Sequence, residues 1–412
     1  MTISSPAGPR PSNQASQKGW RVLFRQPGRS GGAPVSRSAI EKTAPERAIG
    51  TQPESLSKMP LELKNVTKRV GAQLHIKETS LMLEAGHFNV LLGATGSGKT
   101  SLIKLMAGLD PVAGGQVLMD GQDVTHLSTQ KRKISLVHQF FINYPHMTVY
   151  ENIASPLKVA GMAKSEIEGR VEEAADILQL RPMLHRRPHE LSGGQQQRCA
   201  LARAIAKESK AVFLDEPLAN LDYKLREELR DQLPELFAGR GAVVVYATSE
   251  PEEALLLGGR TALMEDGRVT QFGQTAEIYR DPANVDAARV FSDPPVNTAG
   301  IVKQGSTAML NAGVTWELEG AAAGLQDGSY TVAIRPHYVL PVANGSHTVR
   351  LSGQVQVTEL SGSESSAHFQ MGEGSWVSLS AGVHPYKVGE VHDFFMDPSA
   401  CFFFAPDGSR VA

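Results

Sequence analysis

Cysteine is nearly missing from this 412-residue chain: Cys199 and Cys401 are the only two. A pair of thiols excludes a disulfide scaffold and a cysteine-built zinc site, and it fits a reducing compartment. Long apolar runs are missing too. No stretch approaches 18 uninterrupted apolar residues, so no segment reads as a helix that spans a bilayer. No apolar stretch follows the first positive charges, which argues against an export leader. Neither sign of charge dominates, with 41 Lys and Arg against 43 Asp and Glu. What is present is the 41% hydrophobic, 20% charged balance of a soluble globular protein, at a length that predicts two or three domains.

Residues 1–58 carry nine Lys and Arg, three acids and seven prolines with no sustained period, and read as a disordered basic extension. Ordered sequence starts with Leu61-Glu-Leu-Lys-Asn-Val66, so Met59 is an alternative start. Over 59–285, β-rich runs alternate with helical patterns, predicting an α/β domain with a mainly parallel sheet. The buried-strand candidates are Phe88–Leu92, Ala211–Leu214 and Ala242–Tyr246, with a mostly helical insert over Thr148–Glu208. Over 286–412, short apolar alternations such as Gly353–Thr358 and Ser375–Leu379 are punctuated by turn residues. They predict a small all-β domain. Its six basic and twelve acidic residues disfavour nucleic acid as a partner. Its Phe402–Phe404 run reads as a core strand.

Gly93-Ala-Thr-Gly-Ser-Gly-Lys-Thr100 matches G-x-x-x-x-G-K-[ST], between a hydrophobic strand and a helical run, as the motif requires. Glycines let successive N–H groups turn toward one anion, and the helix N-terminus adds partial positive charge. The expected cradle is Gly93, Thr95, Gly96, Ser97, Gly98, Lys99, Thr100 and Ser101. Lys99 would reach the β- and γ-phosphates, and Thr100 would hold Mg²⁺. Ala211-Val-Phe-Leu-Asp-Glu216 is an apolar strand ending in two acids. Asp215 would serve the magnesium shell and Glu216 would polarise water as general base.

Leu191-Ser-Gly-Gly-Gln195, followed by Gln196-Gln-Arg198, resembles the signature motif of ATP-binding cassette (ABC) ATPases. Membership implies a P-loop nucleotide-binding domain with a helical insert. It also implies that Leu191, Ser192, Gly193, Gly194 and Gln195 complete an ATP site on the opposite subunit of a head-to-tail dimer. Gln139 looks like the glutamine that senses Mg²⁺, and Asp222 like the D-loop aspartate. Ala333-Ile-Arg-Pro336 and the closing β domain are similar to maltose-type importer ATPases, which carry an OB-like regulatory domain and handle sugars, polyols and glycerol phosphates. Phe141–Pro145 and Tyr246–Pro251 look closest to one ATPase of bacterial glycerol importers that use two different ATPases. The resemblance implies two integral-membrane permease subunits, indirect service to a solute-binding protein, and a peripheral place on the cytoplasmic face of the inner membrane. Tyr144, Pro145, Met147 and Tyr150 offer contact area for the permease, or pack the insert.

Two positions depart from the family pattern. The family has a histidine after the threonine that closes the strand over Ala242–Tyr246, whereas here Thr248 is followed by Ser249. A serine hydroxyl is shorter than imidazole and carries no positive charge. Val70 stands where the family has an adenine-stacking aromatic. Together they predict a degenerate site of its own, paired with a second ATPase; the alternative is a fully active homodimer. Two rivals fit poorly. A soluble ABC ATPase working on DNA or ribosomes needs long heptad arms or two cassettes, and a small-molecule P-loop kinase has no use for the signature string.

Overall fold

The computed structural model describes residues 60–140, 142–219, 221–237, 241–310, 312–346 and 348–412. The proposed basic extension, the alternative start at Met59 and Phe141 lie outside the described residues.

The chain opens with a hairpin of β1 (Leu61–Val70) and β2 (Gln73–Leu83), then β3 (Phe88–Leu92) and α1 (Lys99–Ala107). There follow β4 (Gly114–Met119), β5 (Gln122–Asp123), β6 (Ile134–Val137), α2 (Val149–Val159), α3 (Lys164–Ile177) and α4 (Gly193–Ala206). Then come β7 (Ala211–Asp215), α5 (Tyr223–Phe237), β8 (Val243–Thr248), α6 (Pro251–Leu257), β9 (Arg260–Glu265), β10 (Arg268–Gln274), α7 (Thr275–Arg280) and α8 (Val285–Val290). The central sheet runs β10-β9-β3-β8-β7-β6, parallel except for the β9–β10 hairpin. Its strands are apolar on both faces because both faces are covered. Phe88, Val90 and Leu92 pack toward the α2–α4 side, while Leu91 packs toward α1 and the hairpin.

Two strand ends lie beyond the sequence expectation. β7 includes Asp215, and β8 runs from Val243 to Thr248, not from Ala242 to Tyr246. Parallel pairing carries both strands on: Asp215 sits opposite Ala247, and Leu92 opposite Thr248. A second sheet, antiparallel in the order β2-β1-β4-β5, was not foreseen.

Chain from Asn297 onward is an OB-like β domain. Its first sheet holds β11 (Asn297–Gln304), β12 (Thr307–Leu310), β13 (Thr315–Glu317), β14 (Gly328–Ile334) and, at its edge, the strand Phe402–Phe404. The second is built from 339–340, Val349–Leu360, Glu364–Met371, Gly374–Ala381 and Val391–Met396. Asn297 zips the two together: its Nδ2 donates to the Val377 carbonyl at 2.8 Å, and the Val377 N–H donates back at 2.6 Å. Phe402–Phe404 is a buried strand, as its composition predicts. α8 faces both ways, with Ala287 against the cassette core and Ala288 against Val296, Phe402 and Phe404.

Candidate functional site

The parallel register brings four strand ends to one edge of the sheet. Gly93 follows β3, His138 and Gln139 follow β6, Glu216 follows β7, and Ser249 follows β8. Carboxyl ends of parallel strands are where α/β sheets hold ligands.

The phosphate loop is shaped by backbone that only glycine fits. Gly98, at φ 104°, precedes α1, and a Cβ there would meet the Ile76 Cδ1 atom at 2.9 Å. A Cβ on Gly93 would lie 2.2 Å from the Met264 carbonyl. The β9–β10 turn closes on the loop from outside, with Gly267 N donating to Ser97 O at 2.9 Å. Lys99 is buried and its Nζ donates to the Gly93 and Ala94 carbonyls at 2.7 and 3.1 Å. It also lies 3.6 Å from a Glu216 oxygen. Burial pushes its pKa down, opposed mainly by Glu216. Among the described residues, the buried Ser97 hydroxyl has no hydrogen-bond partner, which leaves a polar atom inside the cradle free to meet an anion.

Thr100 Oγ1 donates to Asp215 Oδ1 at 2.9 Å, and Gln139 Nε2 donates to Glu216 Oε2 at 2.8 Å. Burial pushes the Asp215 pKa up, and the Thr100 bond and the charge of His138 oppose it. Hard oxygen donors gathered around a carboxylate that burial destabilises are a fitting donor set for Mg²⁺. Glu216 adopts φ 47°, a left-handed conformation costly for a residue with a Cβ, and its N–H is held by the Ala247 carbonyl at 3.0 Å.

Leu191–Gln195 stands apart. Ser192 caps α4, accepting from Gln195 N at 3.3 Å, while its own N–H donates to Gln195 Oε1 at 3.0 Å. Among the described residues, no hydrogen bond or ion pair joins these five to the phosphate loop. α4 is instead tied to the segment after Glu216 by a bond from Gln197 to the Pro217 carbonyl. Asp222 is exposed at the start of α5, and its charge acts on Arg198 of α4. Ser249 is exposed and makes no side-chain hydrogen bond among the described residues, and Val70 is 57% exposed.

Sequence reasoning missed three features. His75 Nε2 lies 2.9 Å from Ser101 Oγ. The Asp266-Gly267 turn against the loop is a turn signal with no hint of its partner. The third is a buried network around Glu253. Tyr150 turns out to pack partly against the α2–α4 core, while Tyr144 is 43% exposed beneath the Arg203 guanidinium.

Comparison with known proteins places this geometry. The family described as ABC transporter matches residues 76–219. The sn-glycerol-3-phosphate import ATP-binding protein UgpC 3 of Rhizobium etli is 38% identical over 315 residues, covering 76% of this chain and 88% of that protein. The UgpC protein of Cupriavidus pinatubonensis is 34% identical over 367 residues, covering 85% and 99%. A solved CbiO1 structure from Clostridium perfringens, part of the ABC transporter complex CbiONQ, shares the fold at TM-score 0.50 and 24% identity, covering 54% and 91%. The chain belongs to the ABC transporter family of ATP-binding proteins. Within it, this is a transport-coupled ATPase of the group that contains the UgpC import proteins. Among the described residues, no helix is long and apolar enough to cross a membrane.

Proposed function

We propose that this chain powers import of a carbohydrate, polyol, glycerol or glycerol phosphate through two integral-membrane permeases, from the cytoplasmic face of the inner membrane. In this reading, residues 59–285 are the ATPase domain and 286–412 the regulatory domain. Gly93–Ser101 holds the phosphates, and Lys99 leaves the loop carbonyls for the β- and γ-oxygens. Thr100, Asp215 and Gln139 would hold Mg²⁺, which neutralises phosphate charge when bound. Glu216, fixed by Gln139, orients and polarises the attacking water. Leu191–Gln195 would cover nucleotide on the opposite subunit, with Asp222 beside that interface.

The same reading makes the chain one half of an asymmetric pair. The observation that carries it is Ser249, which follows the strand end beside Gly93 and Glu216 and has no cationic group to offer a γ-phosphate. Val70 adds a missing stacking surface. The capped and intact Leu191–Gln195 helix would serve a competent site on a second ATPase. The test is steady-state ATPase activity of the chain alone and then with a second ATPase subunit. Little turnover alone and strong stimulation by the second subunit are expected. Brisk hydrolysis by the isolated chain, insensitive to Ser249→Ala, would instead establish the active homodimer.

A further inference from the structure

Glu253, on α6, is 3% exposed, yet nothing about its sequence position marks it as functional. A buried carboxylate is costly unless its lone pairs are satisfied. Here they are. One oxygen, Oε2, accepts from the Thr248 hydroxyl at 2.6 Å and the Tyr246 hydroxyl at 2.9 Å. The other, Oε1, accepts from Arg226 Nε at 3.1 Å and Nη2 at 2.8 Å. The same guanidinium also pairs with Glu250.

Both ends of this network lead to the site. Thr248 is the last residue of β8. Its hydroxyl accepts from Glu250 N at 3.0 Å, and its carbonyl accepts from Gly93 N, the first residue of the phosphate loop, at 3.4 Å. Glu253 therefore holds a hydroxyl around which the backbone 248–250 folds. At the other end, Arg226 lies one turn into α5, its N–H donating to the Asp222 carbonyl at 2.9 Å. α6 has no side-chain cap of its own, so the Arg226–Glu253 pair and the two hydroxyls anchor it. A fully satisfied buried network of this kind fixes one geometry and resists alternatives.

We infer that Glu253 and Arg226 are positioning residues that set the switch segment Thr248–Glu250 against the phosphate loop and tie it to the helix that follows Asp222. The network acts on the backbone, and so works with Ser249 as it would with any residue there. The inference rests on reading Gly93–Ser101 as a site of ATP turnover.

The test pairs the full chain with a second ATPase whose phosphate-loop lysine has been removed, so that turnover reports only nucleotide at Gly93–Ser101, and compares Glu253→Gln, Arg226→Gln and Arg226→Lys with the unaltered protein. Gln at 253 keeps an acceptor oxygen for both hydroxyls and removes the charge facing Arg226. The expected result is a fall in kcat of about tenfold or more in both Gln variants, with KM and ATP affinity within about twofold. The melting temperature should stay within a few degrees, and Arg226→Lys should recover part of the lost kcat. Unchanged kcat in both Gln variants, in a protein that turns over ATP, overturns the inference alone. So does a proportional loss of ATP affinity, kcat and melting temperature, which is the mark of a packing role. An unaltered protein that neither binds nor hydrolyses ATP overturns the functional reading and the inference with it.

Discussion

Ser249→His is the substitution on which the asymmetric reading turns. The Ser249 side chain is exposed and makes no hydrogen bond among the described residues, so replacing it removes no side-chain contact from the fold. The larger side chain grows into open space at the carboxyl edge of the sheet, beside Gly93. An imidazole there reaches farther than a hydroxyl and donates to a γ-phosphate whose charge is redistributing. A hydrogen bond to a charged partner contributes about 1.5–3 kcal/mol. At about 1.4 kcal/mol per decade, that predicts a rise in turnover of about 10- to 150-fold. The assay isolates this chain's own site by pairing it with a second ATPase whose phosphate-loop lysine has been removed. Only nucleotide held by Gly93–Ser101 is then hydrolysed. A gain confined to KM would mean the imidazole binds ground state and transition state equally. If the unaltered chain turns over briskly in this pairing and Ser249→His leaves kcat unchanged, the reasoning from the missing histidine is refuted.

Three further outcomes follow from the geometry. Val70→Tyr should tighten ATP binding about tenfold, since base stacking is worth about 1–3 kcal/mol and the position is open; unchanged affinity in a nucleotide titration would mean the base lies elsewhere. Arg132 is 3% exposed and donates to the carbonyls of Leu105, Met106, Thr125 and Leu127 at 3.0, 2.8, 2.8 and 3.0 Å, closing the C-terminal end of the helix that begins with Lys99. Arg132→Ala strands those acceptors and should cost about 3–5 kcal/mol, lowering the melting temperature by about 6–20 °C; a drop under about 2 °C would refute that role. Burial pushes the Cys199 and Cys401 thiols up to about 12 from an ordinary 9.0. The folded chain keeps protons that the unfolded chain releases, so the thiols' contribution to stability should decline as pH rises from about 9 toward 12. Both thiols should resist iodoacetamide at pH 8 in the native protein, and rapid labelling without denaturant would contradict their burial.

Much of the site was legible because its chemistry is local. A phosphate cradle needs glycines, a lysine and a hydroxyl within eight consecutive residues, and Gly93–Thr100 supplies them in a row. Asp215 and Glu216 were readable because an apolar strand ending in acids has few other uses beside such a loop. The helix opened by Ser192 was readable because a serine cap and its glutamine partner are three residues apart. The antiparallel sheet was harder to read, since strands Leu61–Val70 and Gly114–Met119 pair across chain that contains the phosphate loop. Glu253 was invisible for the same reason. Its partners Arg226, on α5, and Tyr246 and Thr248, on β8, come from two other elements, and an acid in a short helix ordinarily faces water.

By itself, the order of residues pointed to the kind of chemistry: which side chains would meet phosphate, which strand would deliver carboxylates and, against the family it resembles, where a histidine is lacking. Those are properties of contiguous segments, where the chain's own connectivity fixes the spacing. Tertiary structure alone decided how Gly93, Gln139, Glu216 and Ser249 come to share one edge, because strand register is set by packing between segments far apart in sequence. It also decided that Glu216 takes a left-handed backbone and that a turn at Gly267 closes the phosphate loop. Each depends on contacts that exist only once the sheet has formed.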